Sequence, residues 1–411
     1  MRMAMPDVSV LDVRLHGRSI ATLTRHQGDR TILAFNQSYI DDVRRPTLSL
    51  SFHDAVGELI TDFRPVRRVV PPFFSNLLPE GPLRNYLAAR AGVKVEREFF
   101  LLWALGADLP GAVSVHSMDG KALPPPDDGR ADRRSPGSVL RFSVAGVQLK
   151  FSAVRDTGKG GGLTIPAEGV GGSWIVKLPS FQFDGVPENE FSMMTLARRI
   201  GIDVPDLQLV DPGAIAGLPE GLGEVRGQAL AIRRFDRGDD GPIHIEDLAQ
   251  VFGVYPHDKY AKVNYRSIAS LLEAETGEAD IAEFIRRLVF STLIGNADLH
   301  LKNWSLIYPD RRRPALAPAY DVLSTIPYIA GDAAALNYSR TRRMSRVSRA
   351  EFAHLAAKAR LPEKRVLDTV TETVERFKDV WATEKTRLPL AAKVVDAVDA
   401  HARGIPLYHG L

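Results

Sequence analysis

Apolar residues recur at nearly every second position near the start of the chain. Val8, Val10, Leu11, Val13 and Leu15 form an imperfect alternation, the period of a strand with one buried face. Ile32-Leu33-Ala34-Phe35 and Leu48-Ser49-Leu50-Ser51-Phe52 follow between polar turns and predict further strands. Residues 71–82 are apolar but proline-rich, which predicts turns. Helical spacing then sets in over 83–91 and 96–105, the second run ending near Gly106. Residues 123–137 combine Pro, Asp, Arg and Gly without an apolar period and predict a linker or exposed loop. Strand-like runs alternate with glycine-rich turns over 139–178. A helix is predicted over 188–200 with Gly201 as its C′ residue, then strands over 204–210 and 229–234. From 245 onward helical spacing dominates: 245–252, 265–273, 281–294, 349–358 and two more helices to about 402. One hairpin interrupts it, with Trp304 to Tyr308 and Ala315 to Ala319 flanking a turn at 309–314.

Strands first and helices afterwards predict an α+β chain in three parts: a small unit at 8–115, a strand-rich part at 139–240 and a helical part at 241–402. Of the 411 residues 45% are hydrophobic and 25% charged, which places the chain among ordinary soluble globular proteins. The absence of cysteine excludes disulfides, thiolate zinc sites and thiol nucleophiles. No stretch reaches roughly eighteen uninterrupted apolar residues, so no membrane span is expected. The first residues lack the apolar core of a signal peptide, so a cytoplasmic location is expected. A net charge of +3, from 53 basic and 50 acidic residues, does not by itself imply a nucleic-acid partner. Arginines do gather at 311–313 and at 340, 342, 343, 346 and 349. They read as a solvated face or, more sharply, as a phosphate-contacting patch. No aromatic residues interleave with them, which argues against stacking on single strands.

The densest chemistry lies in Asn296-Ala297-Asp298-Leu299-His300-Leu301-Lys302-Asn303, with Tyr320-Asp321 beyond the hairpin. A hairpin returns its ends side by side, so Asp321 is expected near Asp298 and Asn303. Phosphoryl transfer needs such a set: an Asp at the attacking hydroxyl, an Asn on a metal, and a second Asp holding the same metal on nucleotide phosphates. The five-residue step from Asp298 to Asn303 equals that of the protein-kinase catalytic loop, although no Phe-Gly follows Asp321. The bland reading is an Asx-rich turn that caps helices. Lys177 ends the apolar run Trp174-Ile175-Val176 and is a candidate phosphate lysine, or else a strand-end lysine facing water. Glu188 and Glu190 open the next helix as candidate partners for it, or as first-turn carboxylates complementing the helix dipole. Ser143-Val144-Ala145-Gly146-Val147-Gln148-Leu149-Lys150 is a candidate phosphate loop. The glycine run at 157–162 is no Walker A, because no Ser or Thr follows its Lys, and reads as a hairpin turn. Arg233-Arg234-Phe235-Asp236-Arg237 ends an apolar strand where a hinge could meet a nucleobase.

These segments in this order resemble the HipA family of serine/threonine kinases, the toxins of bacterial HipBA-type toxin–antitoxin pairs. The resemblance runs from about residue 8 to about 380, and Phe74-Ser75-Asn76-Leu77-Leu78-Pro79-Glu80-Gly81 is similar to part of the family's N-terminal subdomain. It implies a bilobal protein-kinase-like fold with a strand-rich N-lobe, an extra N-terminal subdomain and a helical C-lobe. It further implies ATP and Mg2+, with Asp298 as catalytic base and Asn303 and Asp321 on the metal. ATP would be contacted by Ala145, Gly146, Val147, Gln148, Lys150, Lys177, Arg233, Phe235, Asp236, Gln250, His300, Asn303 and Asp321. Ser143 matches the family's autophosphorylated serine. The implied partners are a HipB-type helix-turn-helix antitoxin, DNA only through that antitoxin, and a protein substrate such as an aminoacyl-tRNA synthetase. The chain departs from the family at Ala297, Leu299 and Arg233, and its loop is more apolar at Val147 and Leu149. A catalytically silent corepressor and a small-molecule kinase are the competing readings.

Overall fold

The computed structural model describes residues 9–90, 92–118, 150–155, 163–164, 172–180, 182–218 and 225–410. Its first unit is a five-stranded antiparallel sheet in the order β4-β3-β2-β1-β5. The strands are β1 (Val10–Leu15), β2 (Arg18–His26), β3 (Arg30–Phe35), β4 (Val66–Arg67) and β5 (Val113–Ser117). Leu11, Val13, Leu23 and Leu33 form a core with Phe73, Phe74 and Leu101. The short α1 (Gln37–Ile40) follows β3, and α2 (Pro72–Leu77), α3 (Gly81–Arg90) and α4 (Glu98–Leu105) supply the helices. The stretch expected to be turns thus contains α2. Pro72 opens it, a place where proline's missing N–H costs nothing and its φ is pre-set.

A second, six-stranded sheet runs in the order β10-β7-β6-β8-β11-β9. It comprises β6 (Lys150–Arg155), β7 (Leu163–Thr164), β8 (Trp174–Lys177), β9 (Leu207–Val210), β10 (Ile215–Ala216) and β11 (Ala229–Arg233), with α5 (Val186–Arg199) between β8 and β9. A small ribbon of β12 (Arg237–Gly238) and β13 (Gly241–Pro242) leads to a third sheet, formed by β14 (His244–Asp247), β15 (Ser305–Tyr308) and β16 (Ala315–Leu316). The remaining helices are α6 (Leu248–Val251), α7 (Tyr265–Glu275), α8 (Glu278–Leu293), α9 (Arg349–Ala359), α10 (Glu363–Glu384) and α11 (Ala392–Arg403). The large core joins Phe284, Phe290, Trp304 and Phe377 to Met193 and Leu196 of α5 and to Leu230 and Ile232 of β11. The second sheet therefore rests on the helical part through a shared core. No helix among the described residues is long and apolar enough to cross a membrane.

Two local expectations are corrected. Residues 48–52 are not a strand but lead into a 3-10 turn, Leu50–Phe52. The Ser49 side chain caps the Ser51 N–H, and Ser49 Oγ and Leu50 N both donate to the Glu246 carboxylate. Residues 245–252 are not one helix. His244 and Glu246 point into the interior and pair as β14 against β15, and the Asp247 side chain then caps α6 in a capping box with Gln250.

Glu246 is fully buried and receives Ser49, Leu50 and Tyr308. Burial outweighs those hydrogen bonds and pushes its pKa up from 4.5 to about 7. A carboxyl group raised on folding stabilises fully below its unfolded pKa and loses that contribution as pH rises through its folded pKa. Stability is therefore expected to fall between about pH 4.5 and 7. Glu246→Gln should flatten that part of a urea-denaturation pH profile, and an unchanged slope would contradict this assignment.

Candidate active site

Helix α8 delivers the chain to Gly295, whose φ is +69° and where a Cβ would lie 2.6 Å from Ile326 Cδ1. Only a residue without a side chain fits that turn. The loop beyond it is held by its own polar groups. Asn296 Oδ1 accepts from Asp298 N at 3.0 Å, Ala297 N donates to Thr325 Oγ1 at 2.8 Å, and Asn303 Nδ2 donates to Asp298 O at 2.7 Å. Asn303 is buried, and its amide nitrogen is used within the loop. The Asp298 side chain is about half exposed and receives the Tyr260 hydroxyl on Oδ1 at 2.6 Å. His300 Nε2 lies 4.0 Å from the same oxygen. Burial lowers the His300 pKa to about 4, so the imidazole is neutral at neutral pH despite the Asp298 and Asp321 charges near it.

The hairpin returns as its spacing predicts. Tyr320 OH bonds Lys302 O at 2.9 Å and Ser305 Oγ at 2.6 Å, tying the outgoing strand to the incoming loop. Asp321 follows with φ +54°, in the left-handed region. Such backbone strain is common at functional sites. Its carboxylate meets Lys177 Nζ and, at 3.0 Å, Lys150 Nζ. Lys177 also pairs with Glu190 of α5. Lys150 and Lys177 are directly opposite each other on β6 and β8, so strand register sets both ammonium groups on one carboxylate. Burial opposes the Lys177 charge, but Asp321 and Glu190 outweigh it and hold its pKa above the ordinary value. Burial would likewise raise Asp321, but Lys150 and Lys177 hold it well below the usual carboxylate range. At Glu190 burial prevails over the attraction of Lys177 and the pKa is raised.

At the other end, the N–H groups of Arg233 and Arg234 donate to Asp206 O and Ser173 O at 2.7 and 2.8 Å. The half-exposed Arg233 side chain lines an open cavity of about 600 Å³ with Arg155, Trp174 and Gln208. The Phe235 ring lies against that of Tyr320, centroids 5.7 Å apart. Asp236 and Gln250 have committed side chains. Asp236 accepts from Arg234 (2.9 and 2.8 Å), Arg237 (2.7 Å) and Gly111 N (2.8 Å). Gln250 accepts from Asp247 N at 2.8 Å and donates to Phe73 O at 2.9 Å. Both residues therefore join the first unit to the rest. Ser143, Ala145, Gly146, Val147 and Gln148 lie outside the described residues.

Sequence reasoning missed a latch from the first unit onto the catalytic-type loop. Asn76 O accepts from Lys302 Nζ at 2.7 Å, Asn76 Nδ2 donates to Val254 O at 2.8 Å, and Glu80 pairs with Lys259 at 2.9 Å and Lys302 at 3.3 Å. The available signal was the polar residues Ser75, Asn76 and Glu80 inside the otherwise apolar 71–82 stretch. The arginine clusters separate. Arg340 pairs with Glu351 at 2.9 Å and Arg342 donates to the carbonyls of Ala334 and Ala335. Arg311, Arg312 and Arg313 are exposed at the hairpin tip.

No group of three or more His, Cys, Asp or Glu side chains that could hold a metal occurs among the described residues. A site built on Asp321 and the amide oxygen of Asn303 suits magnesium, which commonly takes one or two protein ligands and completes its shell with phosphates and water. The donor set thus fits a phosphate-borne ion rather than an all-protein cage.

Comparison with known proteins supplies the lineage. A family model described as the HipA N-terminal domain matches residues 11–116, and one described as the HipA-like C-terminal domain matches 142–381. A Sinorhizobium fredii protein named "Putative kinase Y4dM" is 67% identical over 405 residues, 98% of this chain and 99% of its own length. The serine/threonine-protein kinase toxin HipA of Shewanella oneidensis is 29% identical over 62% of this chain and 63% of its own. A solved structure of the Shewanella oneidensis toxin–antitoxin system HipA, HipB and operator DNA complex superposes with a TM-score of 0.73 at 22% identity, covering 97% of this chain and 96% of that one. The fold is accordingly α+β and kinase-like, and the chain belongs to the HipA family.

Proposed function

We propose that the protein is an ATP- and magnesium-dependent serine/threonine kinase acting as the toxin of a toxin–antitoxin pair. The observation that carries this reading is the convergence of Lys177, Glu190 and Asp321, from a strand, a helix and a post-hairpin turn, beside the Asp298–Asn303 loop. A buried lysine paired with a helix carboxylate is the arrangement that kinases use to hold nucleotide phosphates. Lys177 and Lys150 present positive charge where phosphate oxygens would replace the Asp321 carboxylate. Asp321 and Asn303 would hold the magnesium ion, which neutralises charge on the phosphates. The base would lie toward Arg233 and Phe235.

Asp298 orients the serine hydroxyl and takes its proton as the oxygen bonds to the γ-phosphorus and the bond to ADP breaks. His300, neutral and buried beside it, can donate or accept a hydrogen bond without adding charge. Positioning and electrostatics supply the rate. Ser143 is the proposed site of self-phosphorylation, which would place roughly −2 of charge beside the incoming phosphates and disfavour ATP. The partner is proposed to be a HipB-type antitoxin that links the kinase to DNA. The substrate is proposed to be a protein such as an aminoacyl-tRNA synthetase, and the location the cytoplasm. The division at 8–115, 139–240 and 241–402 is proposed to separate subdomain, N-lobe and C-lobe.

The test is incubation with magnesium and γ-labelled ATP beside Asp298→Asn, with the phosphate mapped by mass spectrometry. Label on Ser143 of the wild type and none on the variant is expected. Equal label on both would refute the role of Asp298. ATP bound but never transferred would favour the corepressor or a small-molecule acceptor.

A further inference from the structure

We infer that Tyr260 is a positioning residue for the catalytic base: it holds one carboxylate oxygen of Asp298 and leaves the other for the substrate hydroxyl. This inference rests on the kinase reading of Asp298 and adds a residue to it. Tyr260 lies in the loop between α6 and α7, away from the loop that carries Asp298, and its hydroxyl donates to Asp298 Oδ1 at 2.6 Å. Its ring stands edge-on to His300, centroids 4.9 Å apart and planes at 83°. Lys259 Nζ lies 5.5 Å from the ring centroid and pairs with Glu80. Tyr260 is 42% exposed, with His300 on one side of its ring and Lys259 near it, and the carboxylate it bonds is about half exposed.

An exposed aspartate has two freely exchanging oxygens. A single fixed donor removes that freedom, and the chemistry then faces one oxygen in one orientation. The donor must stay protonated to do this. Burial and the Asp298 charge push the Tyr260 pKa above its ordinary value, so it donates throughout the physiological range. The other charged groups acting on Tyr260 are Glu80 and Arg342, and those acting on His300 beside it are Lys259, Asp321 and Glu80. None of these is the group removed in the test below.

The loss should fall on kcat and not on the KM for ATP, a split that a merely structural tyrosine would not produce.

The experiment measures ADP formation from Mg2+–ATP by wild type, Tyr260→Phe and Asp298→Asn between pH 5 and 9, with ATP affinity and melting temperature on the same preparations. For Tyr260→Phe, kcat should fall roughly tenfold, the value of one charged hydrogen bond. The KM for ATP, ATP affinity and melting temperature should be kept. An unchanged kcat, with Asp298→Asn inactive, overturns the positioning role alone. A faster Tyr260→Phe overturns it as well, because the hydroxyl would then be occupying the substrate's place. An active Asp298→Asn, or no ADP from the wild type, overturns the kinase reading beneath it.

Discussion

Asp321→Asn is expected to lower phosphotransfer by about 10³-fold or more, the scale on which single charge-stabilising groups act at phosphoryl and acyl centres. The substitution keeps the shape of the side chain and removes its charge. In the wild type that charge is balanced by Lys150 and Lys177, both within hydrogen-bonding distance. When a nucleotide enters, the two lysines would turn to the phosphates and the freed carboxylate to the magnesium ion. An amide can do neither half of this exchange with comparable energy. The fold should survive, because Lys177 retains Glu190 and the Lys150 side chain is 43% exposed and can be solvated. Initial rates at saturating ATP and a melting curve check both halves. A variant with wild-type turnover would remove Asp321 from the reaction.

The second large effect concerns stability. Lys177→Met should cost about 3–5 kcal/mol, the usual loss when one member of a buried ion pair is removed. Glu190 is 1% exposed and would be left facing Asp321 with no cation of its own. Its pKa is already raised by burial, and losing Lys177 raises it further. The penalty should thus be greatest at neutral and higher pH and shrink as pH falls below about 4.5, where Glu190 becomes protonated in both states. Lys177→Met with Glu190→Leu should recover most of the stability, since apolar replacement of a buried pair is often neutral, and recover none of the phosphotransfer. Urea denaturation at several pH values separates these outcomes. A single variant as stable as the wild type at pH 7 would mean that the pair contributes little to the fold.

Much of this site was legible because the spacing carried geometry. An apolar run ending in Lys177, a helix that carries Glu190 thirteen residues later, and a hairpin that must return its ends all bring distant residues together by simple rules. Lys177 does meet Glu190 and Asp321. Other features depended on partners that no local pattern reveals. Glu246 falls within a run that spacing alone reads as helix, yet its burial, like that of His244, comes from pairing with β15, about sixty residues onward. Ser49 leaves the strand pattern because a distant carboxylate captures its hydroxyl and its neighbour's N–H. Asp236 and Gln250 lie at positions that the resemblance places at the nucleoside or phosphates, but in this chain their side chains bond Arg234, Arg237, Gly111, Asp247 and Phe73. Any role at the nucleotide would have to pass through those bonds. Tyr260 was invisible to spacing because it reaches Asp298 from a loop 38 residues earlier.

The measurement that tests the central claim most directly is calorimetric binding of ATP with and without magnesium, to wild type and to Asp321→Asn. The account predicts that the wild type binds ATP more tightly when magnesium is present and that Asp321→Asn loses this dependence. A wild type that binds no ATP, or a variant whose magnesium dependence is unchanged, would contradict a nucleotide–metal site at Lys177 and Asp321.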